Sequence, residues 1–212
     1  MTDRLKETEC FLFDMDGTIY IGDKLLPGTH GFIENLDEKR VPYYILTNNS
    51  SRSRSDYVEK LDRLGLQVSD EKIITSGEAT AIYLKKQNPA ARVYLVGTPS
   101  LENEFLDRGF HLVQDSPDYI VLGFDTTLTY QKLWKLCDFV RAGIPYIATH
   151  ADINCPTETG FMPDIGAVIA FVETATGRRP DVIVGKPHPP MIEAILEKTG
   201  CRLDRLTMVG DR

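Results

Sequence analysis

Phe11–Thr18 reads FLFDMDGT: an apolar run closes on Asp14, a second acid follows at Asp16, and Gly17 ends the pattern at once. A continuous apolar run that stops at a carboxylate is what a doubly buried parallel strand looks like where it leaves the core. The crevice beyond the carboxyl ends of such strands is where ligands sit. Two acids one residue apart repel each other unless a cation or a proton intervenes, and hard oxygen ligands suit Mg²⁺. An Asp-rich turn with no chemistry is the plain alternative. A calcium loop of the EF-hand type is excluded. It needs an acid or Asn at Thr18, Gly at Ile19 and Glu at Leu25, and the chain has none of them.

Outward from that stretch, short apolar runs alternate with amphipathic ones. Runs at 10–13, 43–46, 93–96, 119–122, 146–148 and 182–184 read as buried strands. Helices are expected over 29–39, 52–64, 77–87, 99–108, 129–142, 166–176 and 188–199. In 52–64 the residues Tyr57, Val58, Leu61 and Leu64 recur at helical spacing, and Gly65 stands where the helix should stop. Strand–helix alternation of this kind predicts an α/β fold with a largely parallel sheet. Seams are expected near Ile74–Gly77 and Gly177–Pro180. They suggest a middle segment inserted into a sheet whose strands come from both flanks.

Composition supports a packed globular protein: of 212 residues, 42% are hydrophobic and 26% charged. With 24 Lys plus Arg against 31 Asp plus Glu the net charge is −7, which argues against charge-driven binding of nucleic acid or anionic membrane. Cys10, Cys137, Cys155 and Cys201 form no CxxC pair, so neither a zinc site nor a disulfide framework is expected. No apolar run approaches bilayer length, and the charged start MTDRLKETE lacks the apolar centre of a secretory signal. A soluble, cytoplasmic protein is the expectation.

Three more elements sit at expected strand ends. LTNN (Leu46–Asn49) brings a hydroxyl and two amides, GKP (Gly185–Pro187) a lysine, and VGDR (Val209–Arg212) another acid. Singly, Thr47 reads as a helix cap, Lys186 as a surface lysine and Asp211 as a turn acid. In the order acid pair, threonine, lysine, acid, they read as one site.

With these motifs the chain resembles the haloacid dehalogenase (HAD) superfamily of phosphatases, in its class IIA, NagD-like, p-nitrophenylphosphatase-like branch. The resemblance is carried by FDMDGTIY, the LPG turn at Leu26–Gly28, ILTNNSSRSR at 45–54, GKPHP at 185–189 and VGDR. It implies a Rossmann-like parallel-sheet core from 1–77 and 182–212, and an inserted α/β cap at 78–181. It also implies that the C-terminal part of the core, a closing strand and a second acid, lies beyond Arg212. Asp14 would be the nucleophile and Asp16 the general acid and base. Mg²⁺ would be held by the Asp14 side chain, the Asp16 carbonyl and Asp211, while Thr47, the Asn48 N–H and Lys186 would bind phosphate. From the cap loop ATHADINCPTETGFMPDIGA (148–167), His150, Asp152 and Asn154 would face the leaving group, with turn-making and structural roles as alternatives.

The implied reaction is hydrolysis of a small phosphorylated metabolite (a sugar phosphate, nucleotide or phosphoglycolate-like acid) through an aspartyl-phosphate, and the implied assembly is a homodimer. Phosphotransfer to an acceptor other than water uses the same residues, and a non-catalytic binding protein of this fold is the second alternative. Dehalogenation is disfavoured, because halide leaves without the proton that Asp16 is placed to give.

Overall fold

The computed structural model describes residues 7–157 and 159–211; Arg212, the last residue of the VGDR motif, lies outside them. In chain order the elements are β1 (Cys10–Asp14), β2 (Tyr20–Ile21), β3 (Lys24–Leu25), α1 (Thr29–Glu38), β4 (Tyr43–Thr47), α2 (Arg54–Arg63), β5 (Ile73–Thr75), α3 (Ser76–Gln87), β6 (Arg92–Val96) and α4 (Pro99–Asp107). They continue with β7 (His111–Leu112), β8 (Tyr119–Leu122), α5 (Tyr130–Arg141), β9 (Tyr146–Ala148), β10 (Asn154–Thr157), β11 (Gly160–Pro163), α6 (Ile165–Thr176), β12 (Val182–Ile183), α7 (Pro189–Thr199) and β13 (Leu206–Val209). The fold is α/β, and every helix expected from the apolar spacing is present.

The chain divides into two compact units. The first comprises residues up to Thr47, Arg54–Ile74 and the chain from Ile195 onward; the second comprises Asn48–Ser53 and Thr75–Ala194. The sequence-based division put 48–53 and 182–194 with the flanks. The structure groups them with the middle segment: β12 pairs in parallel with β9, Val182 against Ile147 and Ile183 against Ala148, and 48–53 are held by Ser50 on Thr149 and by Thr98 O–H on Ser51 C=O. The seam expected at Ile74–Gly77 coincides with a short strand: β5 ends at Thr75, and α3 begins at Ser76.

The first unit is built on a sheet of order β13-β1-β4-β5. Strand β1 runs parallel to both neighbours, with Phe13 opposite Val209 on one side and Asp14 opposite Leu46 on the other. Phe13, Ile45 and Tyr43 from the sheet pack with Ile33 and Leu36 of α1 and Tyr57 and Leu61 of α2. Helix α2 stops where Gly65 predicted. Leu66 N–H reaches Leu61 C=O (2.9 Å), Gly65 N–H reaches Asp62 C=O (2.9 Å), and Gly65 takes φ +83°. That is a Schellman termination, and the left-handed residue it requires is cheapest as glycine.

The second unit carries a five-stranded sheet, β12-β9-β8-β6-β7, whose pairings are all parallel. Its strands are near-continuous apolar runs; Tyr94, Val96, Ile120, Leu122, Tyr146 and Ala148 are buried against Leu136 and Val140 of α5 and Ile165, Ile169 and Val172 of α6. Strands β10 and β11 form an antiparallel hairpin within the loop expected between a strand and a helix. The two strands of the hairpin expose every residue but Cys155, and Pro156 sits on a two-stranded ribbon where a missing N–H is tolerated. No helix among the described residues is long and apolar enough to cross a membrane.

Candidate active site

In the first unit three parallel strands end side by side. Asp14 is the last residue of β1, Thr47 the last of β4, and Asp211 follows β13 by two residues. Because β13, β1 and β4 are adjacent and parallel, all three side chains stand at the same, carboxyl, edge of the sheet. The alternation of a strand continues one step past β1: Met15 is fully buried, which leaves Asp14 half-buried and Asp16 exposed. The chain then turns, with Gly17 N–H on Tyr20 C=O and Ile19 N–H on Met15 C=O.

Gly17 is required twice over. Its φ is +86°, and a Cβ there would lie 2.7 Å from Asp211 Oδ2 and 3.0 Å from its Cγ. The Asp211 carboxylate therefore rests against the backbone that follows Asp16. On the other side, a Cβ on Gly210 would be 3.3 Å from Asp14 Cβ, so β13 brings its trailing acid alongside the acid of β1. Among the described residues no three His, Cys, Asp or Glu side chains gather into a metal cluster. Two carboxylates at this sheet edge fit a small hard cation, which takes one or two carboxylates and keeps several waters, and do not fit a thiolate- or imidazole-bound metal.

In the second unit Asn48, Asp152 and Lys186 meet. The Asn48 Oδ1 accepts the Lys186 N–H (2.8 Å), and its Nδ2 donates to the Lys186 C=O (3.1 Å) and to Asp152 Oδ2 (3.1 Å). Gly185 allows this approach: a Cβ there would be 2.8 Å from Asn48 Oδ1 and 2.7 Å from both Thr149 O and His150 Cβ.

His150 takes the structural position that the sequence reading held open as its alternative. A residue facing a leaving group has to be open to it, whereas His150 is fully buried, with its ring edge-on to Phe124 and Nε2 on Asp164 Oδ1 (3.0 Å). Its Nδ1 lies 3.2 Å from Thr149 Oγ1. Phe124 N–H donates to Ser50 Oγ, and Ser50 and Thr149 hydroxyls are 2.9 Å apart. Ser50, Thr149, His150 and Asp164 thus form one continuous hydrogen-bonded row. Asp164 also accepts the Ile165 N–H (2.6 Å) and so caps α6. Asn154 opens β10 and is exposed.

The sequence reading missed Asp164, Ser50, Thr149 and Ser76. Asp164 carried a usable signal, an acid directly ahead of the apolar run 165–172 at helical spacing. The hydroxyl residues carried none, because their roles depend on strand neighbours far away in the chain.

Against known proteins, residues 11–111 match the family model described as haloacid dehalogenase-like hydrolase, and 183–212 match a second model of HAD-like hydrolases. The chain belongs to the haloacid dehalogenase-like hydrolase family, in its phosphatase branch. It is 36% identical over 208 residues to an acid sugar phosphatase of Staphylococcus aureus (strain MRSA252), an alignment covering 98% of this chain and 80% of that protein. Among solved structures it resembles a 4-nitrophenylphosphatase from Thermotoga maritima (47% identity, TM-score 0.95, 99% of this chain and 80% of that one). It also resembles a glycerol phosphate phosphatase from Mycobacterium tuberculosis in complex with calcium (34% identity, TM-score 0.88, 99% of this chain and 62% of that one).

Proposed function

We propose that the chain is a Mg²⁺-dependent phosphomonoesterase of small phosphorylated metabolites, working through an aspartyl-phosphate on Asp14. The reading is supported above all by the convergence of Asp14 and Asp211 at the carboxyl edge of one sheet, with Thr47 on the neighbouring strand. An Asp14 oxygen attacks phosphorus, the bond from phosphorus to the ester oxygen breaks, and protonated Asp16 gives its proton to the departing alkoxide. Asp16, now a carboxylate, takes a proton from water as that water attacks phosphorus. The bond to Asp14 breaks, and inorganic phosphate leaves. The half-buried position of Asp14 and the exposed one of Asp16 suit a nucleophile shielded from water and a proton carrier in touch with it.

Asp14, the Asp16 carbonyl and Asp211 would hold the metal, which when bound offsets the charge of the phosphoryl group beside the acids. Thr47, the Asn48 N–H and Lys186 bind the phosphate oxygens in this reading, and the lysine supplies the remaining positive charge. The segment 78–181 acts as a cap that excludes water and selects the leaving group, and the reaction belongs to the cytoplasm. Sugar and glycerol phosphates head the substrate panel, because the similar proteins are named for them.

The test is hydrolysis of p-nitrophenyl phosphate and a panel of sugar, glycerol and nucleoside phosphates, with Mg²⁺ and with chelator. Asp14→Asn should lower kcat by about 10⁴-fold or more while Mg²⁺ still binds. An Asp14→Asn protein that turns over at a rate near wild type would sink the covalent route.

A further inference from the structure

We infer that Asp152 is a positioning residue for the reaction proposed above: its carboxylate holds the Asn48 carboxamide in the one rotation that clamps the main chain at Lys186. The inference rests on the phosphate-binding role given to Lys186.

The Asn48 side chain pairs with both main-chain groups of one residue as a neighbouring strand would, accepting Lys186 N–H at 2.8 Å and donating to Lys186 C=O at 3.1 Å. That arrangement uses Oδ1 and leaves Nδ2 one more hydrogen to place. Asp152 Oδ2, at 3.1 Å, takes it. An ionised carboxylate can only accept, so it admits Nδ2 and repels Oδ1. The carboxamide turned by half a rotation would set oxygen against carboxylate and nitrogen against N–H. Asp152 thus selects the clamping rotation independently of Lys186, and a bond to a charged acceptor is about twice as strong as a neutral one.

Asp152 is itself held by its own main chain. Its C=O accepts Gly166 N–H (2.8 Å), and the next carbonyl, of Ile153, accepts Asp164 N–H (2.9 Å). Gly166 has no room for a side chain: a Cβ would meet Ala151 O at 2.6 Å and Asp152 O at 2.9 Å. Two residues earlier the buried His150 ring is pinned to Asp164. At the other end, Ser76 O–H donates to the Asn48 C=O, which fixes the Asn48 backbone. The loop expected to read the leaving group is tied, through one carboxylate, to the residue after Thr47 and, through that residue, to the lysine of the GKP motif.

The test uses the full chain with Asp152→Ala, Asp152→Asn, Asn48→Ala and the double variant Asn48→Ala/Asp152→Ala. Inhibition of p-nitrophenyl phosphate hydrolysis by inorganic phosphate should weaken about tenfold in Asp152→Ala and about threefold in Asp152→Asn, whose amide oxygen still accepts. Once Asn48 is alanine, removing Asp152 should cost less than about twofold more, because both act through one path. Costs that multiply overturn the proposal. So does an Asp152→Ala effect that changes with the leaving group while phosphate inhibition stays at the wild-type level, since that is direct contact with substrate. A second readout needs no turnover: the Asn48 side-chain amide protons should exchange slowly in the wild type and faster in Asp152→Ala, and unchanged exchange overturns the clamp. Wild-type protein that neither hydrolyses phosphomonoesters nor binds phosphate would retire the phosphatase reading, and the amide exchange would still decide the clamp.

Discussion

The two units place polar residues in opposite ways. In the first, Asp14, Asp16 and Asp211 stand half-buried or exposed at a sheet edge, set there by strand register and by one glycine that leaves room for a carboxylate. In the second, Ser50, Ser76, Thr149 and His150 are fully buried and Asp164 nearly so, and hydrogen bonds join them in a row. Helix ends follow the same division. Thr75, Thr98, Thr129 and Asp164 cap helices of the second unit with their side chains, while α1 of the first starts at Gly28 with no side-chain cap. The three acids are left open while Thr47 beside them is buried, and groups that only hold other groups in place are closed off where an unmade bond is expensive.

The sharpest way to break this contrast is to remove one acid from each unit. Asp164→Ala strips the buried His150 of its partner and α6 of its cap together. The second unit should lose about 3 kcal/mol, read from amide exchange on β8 and β9. Asp211→Ala removes an exposed side chain and should change stability by no more than about 0.5 kcal/mol, while its proposed metal-binding role predicts a collapse of turnover. Similar stability losses from the two would show that the open and closed acids are not different in kind.

How far the chain could be read without coordinates follows the same line. FLFDMDGT placed Asp14 and Asp16 correctly at a strand end, since one strand's pattern suffices to say where its side chains emerge. Helix α2 was legible down to its terminating glycine for the same reason: 3.6-residue periodicity and a left-handed stop are local facts. The burial of His150 was not legible. It depends on Asp164, on Ser76 and on Phe124, which reach it only through sheet order and helix docking. The pairing of Asn48 with Lys186, 138 residues on, is equally non-local. The two-residue strands β2, β3 and β7 escaped because they are too brief for any period to show, and β5, three residues directly ahead of α3, was read as a seam.

Alkaline pH acts on the two units through different groups. Burial, with the thiol of Cys201 adding to it, pushes the Cys10 thiol of the first unit from 9.0 up to about 12. In the second unit, burial pushes the Tyr94 phenol from 10.0 to about 12 and raises that of Tyr146. Each group is favoured neutral in the folded chain, so the unfolded chain loses its proton first. Stability is complete below the unfolded value and drains as pH rises toward the folded one. Burial also raises the Cys137 thiol of the second unit above 9.0, so both units should weaken from about pH 9, and the second should go on losing stability through its tyrosines from about pH 10. Urea midpoints followed between pH 8 and 12 should fall less steeply in Cys10→Ala than in the wild type over the first part of that range. Parallel curves would remove Cys10 from the account.

The smallest effect distinguishes two kinds of necessary glycine. Gly65, in the first unit, has φ +83° and nothing within 4 Å of where a Cβ would go, so it is needed for its backbone angle alone. Gly185, in the second, has no positive φ, yet its Cβ would strike Thr149 O and Asn48 Oδ1. Gly65→Ala should cost about 1 kcal/mol, the ordinary penalty of a left-handed alanine, and Gly65→Asn less, because asparagine tolerates that region. Gly185→Ala should give the reverse pattern: little backbone strain, but a displaced Lys186 peptide and phosphate inhibition weakened as in Asp152→Ala. If Gly65→Asn costs as much as Gly65→Ala, the requirement at α2 is spatial after all, and the two glycines are of one kind.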